Sequence, residues 1–141
     1  MKNYDWAGCK VEVDEIATRE WYAQAEVYDC PCGHCRNFMA QLADLPREML
    51  NMLADAGISP EKVAYVCELY HEKDRLYYQV VCPLAGRVLQ KVDESGHQTW
   101  GSIVCHEEMP YPRPRRDLPQ PHFALEFLLW LPWVLDEPIN G

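Results

Sequence analysis

The sequence predicts an α+β fold in which one or two short helices, at about 36–56, pack on one face of an antiparallel sheet. Apolar and polar residues alternate near the start of the chain and through much of its second half, which is typical of half-buried antiparallel strands. Between these blocks, apolar residues recur at the spacing of one helix face. A block of helices between blocks of strands indicates the α+β class. Because 141 residues is the usual length of one domain, we expect a single domain over 1–141.

The first predicted strand spans 10–29. Val11 and Val13 alternate with charged residues at its start. Further along the segment, the apolar positions that continue this alternation are Trp21, Ala23, Ala25 and Val27. A period of two with one polar face is the pattern of a strand that is buried on one side only.

Two helices are predicted next. Phe38, Leu42 and Leu45 recur at helical spacing. Pro46 disfavours the helical conformation at Leu45, and it is well placed to begin a second helix because the first helical residue needs no N–H. We expect this second helix to end at Gly57, since glycine readily adopts the left-handed conformation that closes a helix.

The second half of the chain is predicted to return to strands, because β-branched and aromatic residues dominate it. The predicted strands span 63–70, 76–82, 87–92, 99–106 and 123–130. A proline-rich stretch separates the last two. Since proline cannot donate to a strand ladder, we expect a stiff surface loop at 110–121.

The formal net charge of −9 excludes two kinds of partner. Negative charge of this size repels phosphate backbones and anionic lipids, so we expect neither nucleic acid nor a membrane to be bound. It would suit an unknown protein partner that is basic. Residues 1–10 have no apolar run that would indicate a secretory signal, and the longest apolar stretch, 127–135, is too short to span a bilayer. We therefore expect a cytoplasmic protein.

A cysteine-rich turn at 30–35, which reads Cys-Pro-Cys-Gly-His-Cys, is the most informative feature. Zn²⁺ takes four thiolates, or three thiolates and a histidine, in a tetrahedron. Cys30, Cys32 and Cys35 are therefore candidate zinc ligands, and Gly33 lets the backbone turn tightly enough for their sulfurs to converge. The fourth ligand stays open among several residues. These are His34, Cys9, Cys67, Cys82, Cys105, His71 and His106.

Thiol redox chemistry is a second interpretation of the same turn. The tetrapeptide at 32–35, Cys-Gly-His-Cys, resembles the active site of protein disulfide isomerases, and its position between a strand and a helix resembles a thioredoxin-type site. The resemblance implies that Cys32 attacks a disulfide and that Cys35 resolves the mixed disulfide. The chain departs from that family in carrying Cys30 where an aromatic segment ending in Trp stands, and in lacking an amphipathic closing helix.

A third interpretation gives these thiols no chemistry, because reduced cysteines also pack as small apolar groups. Cys67, Cys82 and Cys105 alternate with apolar residues on predicted strands, so we expect each to be a buried thiol. His71 and His106 stand beside carboxylates at strand ends, where polar residues normally collect in turns.

Two motifs together resemble a family of small uncharacterised bacterial proteins. The first is the run Cys-x-Cys-x-x-Cys-Arg-Asn-Phe at 30–38, and the second is Leu-Pro-Trp-Val-Leu at 131–135. The resemblance implies one α+β domain and brings no established activity. We expect a non-enzymatic intracellular binding protein with a structural cysteine turn that can hold Zn²⁺. The alternatives are a thiol-disulfide oxidoreductase and an acidic inhibitor or immunity-type protein that blocks a basic partner.

Overall fold

Seven antiparallel strands and three α-helices form the fold within the residues that the computed structural model describes, 1–91, 96–108 and 117–139. The strands are β1 (Lys2–Trp6), β2 (Cys9–Val13), β3 (Tyr65–Glu72), β4 (Arg75–Gln90), β5 (Gly96–Gln98), β6 (Gly101–His106) and β7 (His122–Pro132). The helices are α1 (Glu15–Gln24), α2 (Gly33–Met39) and α3 (Arg47–Ala56). The predicted α+β class is confirmed. None of these helices has the length and apolar content that crossing a bilayer requires.

Strand β4, which has 16 residues, organises the sheet. The strand order is β1-β2-β4-β7-β6-β5, and β3 also pairs with β4. One edge of β4 pairs with β7 from Arg75 to Ala85. The other edge pairs first with β3, as far as Val81, and then with β2 from Gly86 onward. β4 therefore has a short stretch with no strand neighbour on this second edge.

Helix α1 fills the gap between β3 and β2. The Tyr22 hydroxyl donates a hydrogen bond of 2.7 Å to the Pro83 carbonyl, and the Ala85 N–H donates one of 3.0 Å to the Thr18 hydroxyl. The Asp14 N–H donates to the Ala85 carbonyl at 3.0 Å. Buried backbone groups need partners, so these groups of α1 and its cap replace the missing ladder bonds.

The prediction of one strand over 10–29 was wrong beyond Val13. The chain instead enters α1, whose first turn is capped by the Asp14 carboxylate, which accepts a hydrogen bond of 3.0 Å from the Ala17 N–H. Thr18 and Tyr22, four residues apart, are the buried positions of the helix. Their helical spacing and the Asp cap were present in the sequence, but the alternation of apolar and polar residues suggested a strand.

The predicted helices at 36–56 correspond to α2 and α3, which are separated by a single turn of 3₁₀-helix at Leu42–Asp44. Gly57 ends α3 with φ of +83°, as predicted. The predicted strands 76–82 and 87–92 are one strand, β4, up to Gln90. The strand passes Gly86 with φ of +136°, where a Cβ would lie 2.1 Å from the Glu12 carbonyl oxygen, so only glycine fits between β2 and β4 there.

The segment between β6 and β7 is described only from residue 117. Residues 110–116 of the predicted proline-rich loop lie outside the described residues. Val92, the last residue of the predicted strand 87–92, also lies outside them. Residues 117–121 contain no strand, but Leu118 is buried. The described end of this connection is therefore packed against the fold rather than fully on its surface.

The gap-filling role of α1 can be tested with Tyr22→Phe. The substitution keeps the ring and leaves the buried Pro83 carbonyl without its partner, so we expect the free energy of unfolding to fall by about 1–3 kcal/mol. Urea denaturation measures this difference. Tyr4→Phe is the matched control, because the Tyr4 hydroxyl makes an exposed contact of 3.5 Å, and we expect a change within about 0.5 kcal/mol. Equal effects of the two substitutions would contradict the role assigned to α1.

Candidate metal centre

The sulfur atoms of Cys30, Cys32 and Cys35 converge at the start of α2. All three lie within 4.8 Å of one another, and the Cys30 and Cys32 sulfurs are 3.4 Å apart. With zinc–sulfur bonds of about 2.3 Å, tetrahedral coordination places two sulfurs about 3.8 Å apart. The observed spacing is close to that value, so this cysteine cluster can hold a metal ion with small adjustments of its side chains.

Local bonds of the turn bring these sulfurs together. Cys32 precedes the first helical residue, and its sulfur accepts a hydrogen bond of 3.5 Å from the Cys35 N–H. The Arg36 N–H donates to the Cys32 carbonyl at 3.0 Å, and the Arg36 Nε donates to the Pro31 carbonyl at 2.9 Å. Hydrogen bonds to residues of α2 thus hold the backbone on both sides of Cys32. These bonds fix the directions of the Cys30 and Cys35 side chains.

Asn37 ties α2 to the end of β7. This residue is fully buried. Its Nδ2 donates hydrogen bonds to the Pro132 carbonyl at 3.0 Å and to the Tyr78 hydroxyl at 3.2 Å. Its Oδ1 accepts a hydrogen bond of 2.8 Å from the Val134 N–H. The Gln41 side chain donates to the same Pro132 carbonyl at 3.0 Å. The two motifs at 30–38 and 131–135 are therefore in direct contact in the fold.

The residues after β7 complete this contact. The Trp133 ring would lie 3.3 Å from a Cβ at position 33, so Gly33 allows the indole to approach the cysteine turn. The Trp133 Nε1 donates to the Glu137 carbonyl at 2.6 Å, and the Glu137 carboxylate forms a two-pronged ion pair with Arg36. Sequence reasoning singled out both motifs but did not predict that they would meet.

Cys32 and Cys35, the two cysteines of the Cys-Gly-His-Cys segment, differ in environment. Cys32 is exposed. Its slight burial raises the pKa of the thiol, but hydrogen bonds from Cys35, Cys30 and the His34 N–H lower the pKa by more. The pKa of Cys32 therefore lies below the usual thiol value. Cys35 is buried, and burial raises its pKa to about 12. The thiolate therefore forms first on Cys32.

Tyr28 was missed by sequence reasoning. Its hydroxyl donates to the Val66 carbonyl at 3.2 Å and lies 3.5 Å from the Cys35 sulfur. Burial, together with the neighbouring Cys35 thiol, raises the pKa of Tyr28 well above its usual value. As a neutral phenol, Tyr28 thus connects Cys35, the buried cysteine of the cluster, to strand β3.

Two histidines near the cluster face a carboxylate instead of the sulfurs. The His34 Nδ1 lies 4.0 Å from one oxygen of Glu68, and the His71 Nδ1 lies 3.7 Å from the other. The Glu68 side chain is 15% exposed. Neither histidine belongs to the group of ligand atoms within 4.8 Å, so neither supplies the predicted fourth ligand in this arrangement.

The remaining candidates for a fourth ligand also lie apart from the cluster. Cys9 and Cys105 are buried, and the Cys105 thiol lowers the pKa of Cys9, while Cys82 is completely buried in β4. His106 lies 3.6 Å from the Glu126 carboxylate. The Cys67 thiol, which was expected to be buried, is half-buried and contacts the carbonyl of its own neighbour at 3.6 Å. Within the described residues, the group therefore consists of three cysteines alone.

Comparisons of the chain with protein-family models, with curated proteins and with solved structures find no match. The resemblance of the motifs at 30–38 and 131–135 to a family of small bacterial proteins stays a prediction. Function must therefore be inferred from the residues of the cysteine cluster and their surroundings.

The anchoring role of Asn37 can be tested with Asn37→Ala. Removing the carboxamide leaves the Val134 N–H without a partner and detaches α2 from Pro132, so we expect the free energy of unfolding to fall by about 1–3 kcal/mol. Urea denaturation provides the measurement. The control is Asn51→Ala on the exposed side of α3, which should change stability by less than about 0.5 kcal/mol. An Asn37 variant as stable as the control would show that the two motifs do not depend on this side chain.

Proposed function

We propose that this chain is a non-enzymatic intracellular binding protein whose cysteine cluster, Cys30, Cys32 and Cys35, binds Zn²⁺ as a structural ion. The observation that carries the proposal is the convergence of three sulfurs within 4.8 Å of one another. Thiolates are the soft ligands that select zinc over the hard cations magnesium and calcium.

The surroundings of the cluster support a structural role for the ion. Cys35 is buried beside Tyr28, and α2 is attached to the end of β7 through Asn37. A zinc ion would connect this anchored helix with Cys30, which lies before it. Metal bound only by the folded state adds its binding free energy to stability, so such an ion would strengthen the fold.

The proposed location and partner follow from thiol chemistry and charge. All seven cysteines are unpaired, and free thiols persist in a reducing compartment such as the cytosol. With a net charge of −9, the surface would favour a basic protein partner. The inhibitor or immunity-type function stays a prediction, because net charge alone supports it.

Metal content tests the proposal. Protein purified without added metal should contain one Zn²⁺ per chain by elemental analysis, and a chelator should remove the ion and lower Tm. Serine at any one of Cys30, Cys32 or Cys35 should abolish stoichiometric zinc. Cys67→Ser is the matched control, since Cys67 is half-buried outside the cluster, and it should retain zinc. Protein without zinc, or zinc that survives all three cluster substitutions, would refute the proposal.

A second candidate is a thiol-disulfide oxidoreductase that uses Cys32 and Cys35. The contrast between an exposed thiol of lowered pKa and a buried thiol with a pKa of about 12 favours it, because an attacking and a resolving cysteine differ in this way. The Cys32 thiolate would attack a substrate disulfide and release one substrate thiolate. Cys35 would then displace the second substrate thiolate and leave a Cys32–Cys35 disulfide, so the substrate gains two electrons.

The role of Cys30 separates the two candidates. The redox pair does not need Cys30, whereas the zinc site does. If the protein is an oxidoreductase, insulin reduction with a thiol reductant should proceed with Cys30→Ser and fall to the uncatalysed rate with Cys32→Ser. If the cluster only binds metal, neither protein accelerates insulin reduction.

A further inference from the structure

The cysteine cluster supplies three ligands to an ion that takes four. The described residues include every cysteine of the chain and the side chains of His34, His71, His106 and His122. None of these histidines, and no further cysteine, lies with the three sulfurs within 4.8 Å in this part of the chain.

The Tyr28 hydroxyl and the His34 ring are engaged elsewhere. The Tyr28 hydroxyl donates a hydrogen bond of 3.2 Å to the Val66 carbonyl. The His34 ring faces Glu68, and its carbonyl accepts a hydrogen bond of 2.6 Å from the Tyr78 hydroxyl, which fixes the backbone at this residue. In the part of the chain that the structure describes, no further cysteine or histidine is therefore placed to supply the fourth ligand.

The exposure of the cluster shows on which side that position lies. Cys35 is buried, Cys30 is half-buried and Cys32 is exposed. The inner side of the cluster faces Tyr28 and β3, so the side that an outside ligand can reach is the exposed one, at Cys32. In zinc proteins, structural sites are closed by four protein ligands, so a structural ion here needs one further protein ligand from outside the cluster.

Charge determines which outside donor suits this position. Zn²⁺ with three thiolates carries a net charge of −1, a fourth thiolate would make it −2, and a neutral imidazole would leave it at −1. The whole chain carries −9, and Glu68 lies beside the turn. A further negative charge is therefore disfavoured, and neutral nitrogen is the better donor.

We propose that the zinc held by Cys30, Cys32 and Cys35 is completed by a histidine imidazole from a partner protein, so that the metal forms part of a docking site. This inference rests on the proposed zinc binding. Exposed apolar residues on the two segments that lead to the cluster suit such a contact: Val27, three residues before Cys30, is 53% exposed, and Val134, which follows the Trp133 that lies against Gly33, is 47% exposed. Burial of exposed apolar surface is the usual driving force of association.

Cobalt substitution tests the open position, since tetrahedral Co²⁺ reports its ligands through visible absorption bands. Free imidazole added to the Co²⁺-loaded protein should shift these bands. The shift should saturate with increasing imidazole concentration, as for a single binding site. The His34→Ala variant should respond with the same half-saturating concentration. Mercaptoethanol should need an about ten-fold higher concentration at pH 7, because it must lose a proton and adds a negative charge.

Several results would overturn the inference. Bands that do not respond to imidazole would mean that the chain itself closes the site. A response that appears only in His34→Ala would identify His34 as the fourth ligand, and a preference for mercaptoethanol would overturn the assignment of histidine. Failure of the underlying zinc proposal looks different, because the protein would then develop no cobalt–thiolate bands before any imidazole is added.

Discussion

The carboxamide of Asn37 joins the two segments on which the cysteine cluster depends. Its nitrogen donates to the carbonyl of Pro132, and its oxygen accepts from the N–H of Val134, so one side chain satisfies both a donor and an acceptor of the chain leaving β7. A carboxylate could not donate, and a hydrocarbon could do neither. Because Asn37 lies only two residues after Cys35, this bond also fixes where the buried sulfur of the cluster sits.

Charges around the cluster are compensated in pairs, which allows thiolates to form within an acidic chain. The Glu137 carboxylate is bound by Arg36, which in turn holds the Pro31 carbonyl of the cysteine turn. Glu68 faces the ring nitrogens of His34 and His71. Two carboxylates near the turn, Glu68 and Glu137, are thus engaged with positive or protonatable groups. The net charge of −9 still opposes a further negative charge at the cluster, and it would favour a basic partner.

Features with a local cause could be predicted from the sequence, and features made by distant residues could not. The convergence of three sulfurs needs only a short turn with Gly33, and the end of α3 needs only Gly57. Helix α1 was missed because the alternation of apolar and polar residues from Trp21 to Val27 matches a strand, while the edge of β4 that selects the helix is about 60 residues away in the chain. The fourth zinc ligand could not be chosen from seven candidates, since which of them approach the turn depends on the whole sheet.

The third cysteine bears most directly on the choice between metal and redox chemistry. A redox pair needs an attacking and a resolving thiol, and a further thiol 3.4 Å from the attacking sulfur competes with Cys35 for any disulfide that Cys32 forms. A metal site uses the same closeness, because an ion binds all three sulfurs as thiolates and so protects each from oxidation. Cys30 is therefore a disadvantage in one chemistry and a ligand in the other. Its place beside Cys32 is the structural reason to favour the metal.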